Sequence, residues 1–337
     1  MNLARRPTIH DVAERAGVSK SLVSLVLRGA PNVSDRRRAA VAQAVTDLGY
    51  RPNAVARSLV EQRTRTVGVL VSNLHNPFFA EVVDGLQEQA TELGYRVLLG
   101  SGNGLSVREE ETVEALLELR VEGLVMLNPV LDAWVVDDAS RSVPVVVVGR
   151  HDLRLLRVDT VSSDDARGTA LAVEHLIGLG HRHIAHIAAG RVAAADPRRQ
   201  GYEAAMRRAG LGAQIRVSSG DYTTDEGGYE GMTKLLAERP PPTAVLAHND
   251  LAAVGAMGAL DDAGLRVPDD VSLVGYDNSY LAGVRHLSLT SVSQPRLEMG
   301  RLALTAVHER IDNSDGPARN DVLEPVLVVR ATTAPPH

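Results

Sequence analysis

"GVSKSLVSLVLRG" occupies residues 17–29 and holds no acidic residue. Gly17 permits a tight turn, and Ser19 can cap a helix from Lys20 to about Leu27 that Gly29 and Pro31 stop. Upstream, Thr8 followed by Asp11 reads as an N-cap with an acidic third position, and Val12, Ala13 and Ala16 form an apolar face that ends at Gly17. Two short helices joined by a glycine turn follow the grammar of a helix-turn-helix. The aliphatic residues hold the second helix to its own domain, with Val23 reaching back to the first. Lys20, Ser21 and Ser24 are left at the end that would enter a major groove. Plain structural packing could use the same two helices, so charge has to decide between them.

The net charge of −6 hides an asymmetry. Residues 1–65 carry 12 Lys/Arg against 5 Asp/Glu, whereas the remainder carries 24 against 37. A basic head on an acidic body argues for a nucleic-acid module attached to something with another task. Asn32, Val33 and Ser34 then cap a third helix running to Leu48, with Val41, Val45 and Leu48 at helical spacing and Gly49 as its stop. Arg36, Arg37 and Arg38 on its first turns suit the phosphate backbone, which sets affinity more than sequence choice. Beyond Pro52, Asn53 can cap a further helix of about two turns, too short to be stable alone in water.

From Thr66 the pattern changes. "VGVLV" (67–71), "RVLLG" (96–100), "GLVML" (123–127) and "VPVVVV" (143–148) alternate with helical stretches such as Phe79 to Leu93 and Arg108 to Leu119. The cadence restarts at "HIAHIA" (183–188), "IRVSSG" (215–220), "AVLAH" (244–248) and "VSLVGY" (271–276). Two successive α/β halves are predicted, with a ligand cleft outside the carboxyl ends of their strands. "SNLHNPFF", "GRHD", "GDYTTDEGGY", "AHNDLAAVG" and "GYDNSY" all fall at such ends.

Other classes lose ground. The chain has no cysteine, which removes disulfides, thiol catalysis and sulfur-ligated zinc. No stretch approaches ~18 consecutive apolar residues and the start lacks a signal-peptide core, so a cytoplasmic location without membrane contact is expected. "GSGNG" (100–104) lacks the third glycine of a dinucleotide loop, so no cofactor is expected. His183 and His186 fall on different faces of a strand, which argues against a metal site. No main catalytic signature occurs, and an enzyme is not expected.

The head segments "PTIHDVAERAGVSKSLVSLVLRG", "NVSDRRRAAV" and "LGYRPNAVARSLV" together resemble the lactose repressor/galactose repressor family of bacterial transcription regulators. The resemblance runs on to the last strand. It implies an all-α helix-turn-helix head at 1–52, a hinge helix and linker at 53–65, and an α/β body at 66–337. The body would consist of two parallel-sheet subdomains of the periplasmic-binding-protein type, 66–163 with about 292–322 and 164–291 with about 323–334. The residues expected at DNA are Thr8, Ser19, Lys20, Ser21, Leu22, Ser24, Leu25, Arg28, Asn32, Ser34, Arg37, Tyr50, Asn53, Ala56 and Leu59. Leu59 would wedge into a minor-groove base step. Leu22 and Leu25 stand where relatives often carry threonine and arginine, so only methyl contacts remain there.

For the cleft, the resemblance implies Asn249, Asp277 and Arg198 as groups that bond ligand hydroxyls, Tyr222 and Phe79 as stacking residues, and Arg150 at the end of the fourth strand. The implied partners are operator DNA, a sugar-like effector and a second copy of the chain. Interfaces are expected near Val82 to Leu93 and Leu251 to Leu260, and the ending "ATTAPPH" carries no leucine heptad for a tetramer bundle. A sugar-binding module for transport or chemotaxis is the competing reading.

Overall fold

The computed structural model describes residues 7–51, 63–150, 152–190, 194–220, 222–313 and 316–337. Two compact units divide the chain, residues 1–64 and 65–337. In the first, α1 (Ile9–Ala16), α2 (Lys20–Leu27) and α3 (Asp35–Leu48) enclose Val12, Ala13, Val23, Val41 and Ala44. Local chemistry sets the boundaries. The N–H of Thr8 donates to Asp11 at 2.7 Å while the Thr8 hydroxyl accepts from the Asp11 N–H, a complete capping box. Gly17 ends α1 at φ 64°, a left-handed conformation that lets the chain turn into α2. Ser19 then accepts from the Leu22 N–H at 3.2 Å and starts α2.

Among the described residues the second unit contains two six-stranded sheets. Strands β1 (Thr66–Val71), β2 (Arg96–Ser101), β3 (Gly123–Leu127), β4 (Val145–Val148), β5 (Val158–Ser163) and β11 (Asn320–Leu323) form one, in the order β11-β5-β4-β3-β1-β2. Strands β6 (Ile184–Ala189), β7 (Arg216–Gly220), β8 (Ala244–Ala247), β9 (Ser272–Asp277), β10 (Thr290–Ser293) and β12 (Val326–Val328) form the other, in the order β12-β10-β9-β8-β6-β7. Every pairing is parallel except β10 with β12. The helices of the first lobe are α4 (Pro77–Leu93), α5 (Ser106–Glu118) and α6 (Ala133–Ser142), followed by α7 (Asp165–Gly178), α8 (Ala195–Arg208), α9 (Asp225–Leu236) and α10 (Asp250–Asp262) in the second. Helix α11 (Arg296–Asp312) returns to the first lobe and packs on α4. The chain thus crosses between lobes after Ser163, after Ser293 and after Leu323.

Four of these twelve strands lie outside the aliphatic runs of the sequence. β5 reads VDTVSS, and its polar residues are buried by sheet neighbours and helices rather than by any pattern of their own. β10, β11 and β12 are only three or four residues long and gain their place from long-range pairing. The α4–α11 contact is close because both helices carry glycine at the crossing. A Cβ on Gly85 would stand 2.0 Å from the carbonyl oxygen of Leu297, and one on Gly300 would stand 2.0 Å from that of Val82. The apolar residues of the two stretches expected at a dimer interface are largely used inside the chain, since Val82, Leu86 and Ala90 are buried in the first core and Ala252, Ala253, Ala256 and Leu260 in the second.

Candidate functional site

A cleft of about 620 Å³ opens where the carboxyl ends of both sheets face each other. Ser72 and Asn73 after β1, Asn103 to Leu105 after β2, Asn128 and Val130 after β3 and Gly149 after β4 form one wall, together with Asn76, Phe78 and Phe79 on or beside the first turn of α4. Gly190, Gly220, Thr223, His248, Asn249, Asp277 and Arg198 belong to the other, with Ser163, Asp165 and Gln294 at the crossings. Asn76 caps α4 by accepting from the Phe78 N–H at 3.0 Å, and Pro77 pre-sets the first turn. This places the chain's two phenylalanines edge to face, with ring centres 5.2 Å apart.

The floor is ionic. The Arg198 Nε donates to the Asp165 carboxylate at 2.8 Å and its Nη1 to the His248 carbonyl at 2.6 Å, while Nη2 lies 3.7 Å from an Asp277 oxygen. Its guanidinium carbon sits 3.7 Å from the centre of the Tyr276 ring. These side chains are 4–6% exposed, so both charge signs are desolvated together and neither can be removed without orphaning the other. Burial pushes the Asp277 carboxyl up to about 7, against the pull of Arg198 and of the Gln294 amide, which donates to it at 2.7 Å. Asp250 lies behind the floor, bonded to Ser279 and Ser291, and burial lifts it to about 6. Desolvation lowers the buried His248 well below its ordinary range.

A carboxyl raised in the fold binds its proton more tightly there than in the unfolded chain. The folded state therefore takes up extra protons between the ordinary carboxyl value of about 4 and the raised value. Stability owed to Asp277 is present below that window and declines as pH rises to about 7. Buried His186 and His248 are lowered by desolvation and pull stability the opposite way with pH, so the test is a difference. The stability of wild type relative to Asp277→Asn, read from melting temperatures, should decline as pH rises from 5 to about 7. A difference that stays flat or grows over this range would contradict the assignment.

Polar atoms of the cleft remain to be satisfied. Among the described residues, Asn128 Oδ1, Ser163 Oγ and His248 Nδ1 are buried without a hydrogen-bond partner, and all three residues line the cavity. Such groups are costly unless a ligand meets them. The surroundings therefore suit a compact molecule rich in hydroxyls or ring nitrogens.

Of the six residues expected at the cleft, Phe79, Arg198, Asn249 and Asp277 come together along it. Asn249 also caps α10, accepting from the Ala252 N–H at 2.8 Å, and donates to the Thr223 carbonyl at 2.9 Å. Tyr222 does not join them. It is 2% exposed in the core of the second lobe, its ring folded against Gly220 and Gly231 and its hydroxyl 2.6 Å from the Lys234 ammonium. Arg150 also lies outside the lining; Asp152 captures its guanidinium, and the Leu131 carbonyl accepts from it at 2.7 Å. The expectations missed Asp165, Phe78, His248, Gln294 and the asparagines of the first lobe. Asn73, Asn76 and Phe78 stand in the quoted "SNLHNPFF", so position after a strand could have found them; Asp165 and Gln294 had no local signal.

On the head, Lys20, Ser21, Arg28, Asn32, Ser34 and Arg37 are exposed, and Leu25 is 39% exposed on α2. Leu22 and Ser24 are half-buried beside them, while Thr8 and Ser19 serve as the helix caps. Arg38 differs from its two neighbours, since its Nη2 donates to the Ala30 carbonyl at 2.9 Å and braces the α2–α3 connection. Tyr50 packs against the head core. Asn53, Ala56 and Leu59 lie outside the described residues. Among the described residues no helix is long and apolar enough to cross a membrane.

Residues 8–53 match the model for bacterial regulatory proteins of the lacI family, and residues 173–333 match a periplasmic binding protein-like domain. The ribose operon repressor of Haemophilus influenzae is 35% identical over 324 residues, covering 96% of this chain and 97% of its own. The transcriptional repressor PurR of Erwinia tasmaniensis is 35% identical over 332 residues, 97% of either chain. The crystal structure of the Lac repressor dimer bound to operator and the anti-inducer ONPF superposes with a TM-score of 0.86 at 30% identity, covering 98% of this chain and all of that one. A basic three-helix head and a two-lobed cleft, matched together along nearly the whole length of these repressors, make this chain a member of the lacI family of bacterial regulatory proteins.

Proposed function

We propose that this protein is a ligand-controlled transcriptional repressor that binds a two-fold symmetric operator as a dimer and takes a sugar-like effector between its lobes. The head at 1–52 reads DNA, residues 53–65 act as the hinge, and the body at 66–337 binds effector and dimerises. One observation carries the reading: a basic head with exposed Lys20, Ser21 and Arg37 shares a chain with a cleft floored by Arg198, Asp165 and Asp277. A transport or chemotaxis module would have no use for such a head, and no catalytic step is assigned to the cleft. The side-chain amides of Asn73, Asn76, Asn103, Asn128 and Gln294 favour hydroxyl partners, and Phe78 with Phe79 offers an apolar sugar face a surface to rest on. A purine would use the same aromatic pair and is the second reading, supported by the likeness to PurR.

If effector and operator prefer different lobe settings, each weakens the other by the same factor, typically about 5- to 150-fold. Thermal shift against ribose, galactose, cellobiose, sugar phosphates and purines tests the cleft, since a true ligand stabilises the body by mass action. Gel retardation with the DNA upstream of the protein's own gene tests the head. Arg37→Ala should lower the slope of log affinity against log salt by about 1 without altering base preference. An unchanged slope would remove Arg37 from the phosphate contacts, and salt-independent retention of DNA would sink the repressor reading.

A further inference from the structure

Glu81 lies on α4 just beyond the two cleft phenylalanines and lines no part of the cleft. Its carboxylate accepts from two directions. The Arg296 Nε, at the start of α11, donates to Oε2 at 2.8 Å, and the backbone N–H of Tyr280 donates to Oε1 at 3.0 Å. Arg296 donates in turn to the carbonyl oxygens of Asp277 and, at 3.1 Å, of Gln294. Helices α4 and α11 pack together in the first lobe, whereas residues 277–280 continue the second lobe from β9. Two side chains of one lobe therefore hold the backbone of a short strap in the other, and the Asp277 side chain on that strap faces the cleft.

The strap is held in an uncommon shape. Asp277 has φ 100° and Asn278 φ 49°, left-handed values that persist in non-glycine residues only when their surroundings enforce them. From its own lobe, Asp250 accepts the Ser279 N–H at 2.7 Å and Ser291 accepts the Asn278 N–H at 3.0 Å. From the other, Glu81 and Arg296 supply the opposing hold. Arg296 and Glu81 are 12% and 26% exposed, enough burial for a multiply bonded pair to exceed an ordinary surface ion pair.

On the reading that the cleft holds effector, we propose that Glu81 is the positioning residue that couples Asp277 to α4. A partner that bonds the Asp277 carboxylate shifts the strap. The Tyr280 N–H and the Asp277 carbonyl deliver that shift to Glu81 and Arg296, and hence to the helix whose first turn carries Phe78 and Phe79. Both walls of the cleft then respond as one element. Without Glu81 the strap keeps Arg296 on α11 but loses its hydrogen-bonded link to α4.

The test needs no ligand. Hydrogen exchange is measured on the full-length protein in peptides covering residues 77–93, with Asp277→Asn as the perturbation and Gln294→Ala, which removes the donor to Asp277, as a second. In the wild-type background each should change exchange of residues 77–84 by about threefold or more, the scale of a modest shift in local opening. In a Glu81→Ala background the same substitutions should leave it unchanged. Glu88→Ala breaks the 2.7 Å contact with Arg301, which joins the same two helices inside one lobe, and should preserve the Asp277 effect. An effect of equal size with and without Glu81, or none in the wild-type background, overturns the proposal. Failure of every sugar and purine to shift the melting temperature would instead overturn the effector reading and leave this result standing.

Discussion

Replacing Arg198 with leucine should cost the body about 3–5 kcal/mol and abolish its response to effector, because two buried carboxyls lose the cation they share. Asp165 accepts from that guanidinium at 2.8 Å and Asp277 stands 3.7 Å away, all of them nearly sealed from water. The two carboxyls should not suffer equally. Asp277 is already pushed up to about 7 and can take a proton near neutral pH, so Asp165 bears most of the loss. Arg198→Leu combined with Asp165→Leu should therefore recover part of the stability but none of the ligand response. Urea unfolding of the three proteins distinguishes the outcomes. A single variant within about 1 kcal/mol of wild type would mean that water reaches the floor and that the ion cluster is not sealed.

Gly300→Ala should be as damaging for a different reason. The added methyl would stand 2.0 Å from the Val82 carbonyl and 2.6 Å from the Leu86 nitrogen, both backbone atoms of α4 that no rotamer change can move. Helices α4 and α11 must separate, which opens the first core along Val82, Leu86, Ala303 and Leu304. Overpacking of this kind costs about 3 kcal/mol or more when backbone rather than side chain must yield. Gly283→Ala is the matched control, since its methyl meets nothing within 4 Å, and it should stay within about 0.5 kcal/mol. A Gly300→Ala protein that melts with wild type would show that the helix pair can slide apart freely.

The head was the most legible region because its determinants are local. Thr8 with Asp11, Gly17 and Ser19 each act within a few residues, and the helices begin and end where those groups stand. Strands β1 to β4 and β6 to β9 were legible from aliphatic runs. β5 was not, because its burial depends on sheet neighbours rather than on its own composition. At the cleft, position after a strand pointed to the stretches that hold Asn249 and Asp277, both of which line the cavity, but could not foresee side-chain direction. Tyr222 turns back over Gly220 toward Lys234, and Arg150 is taken by an aspartate two residues away. Asp165 became visible only once folding brought it beside Arg198, 33 residues along the chain.

The threefold passage of the chain between lobes bears on how the body is made. The first sheet lacks its edge strand until residues 320–323 have emerged, and the second lacks its own until 326–328. Neither sheet is complete before then, so a chain cut ahead of residue 320 should leave two incomplete lobes rather than one sound and one damaged.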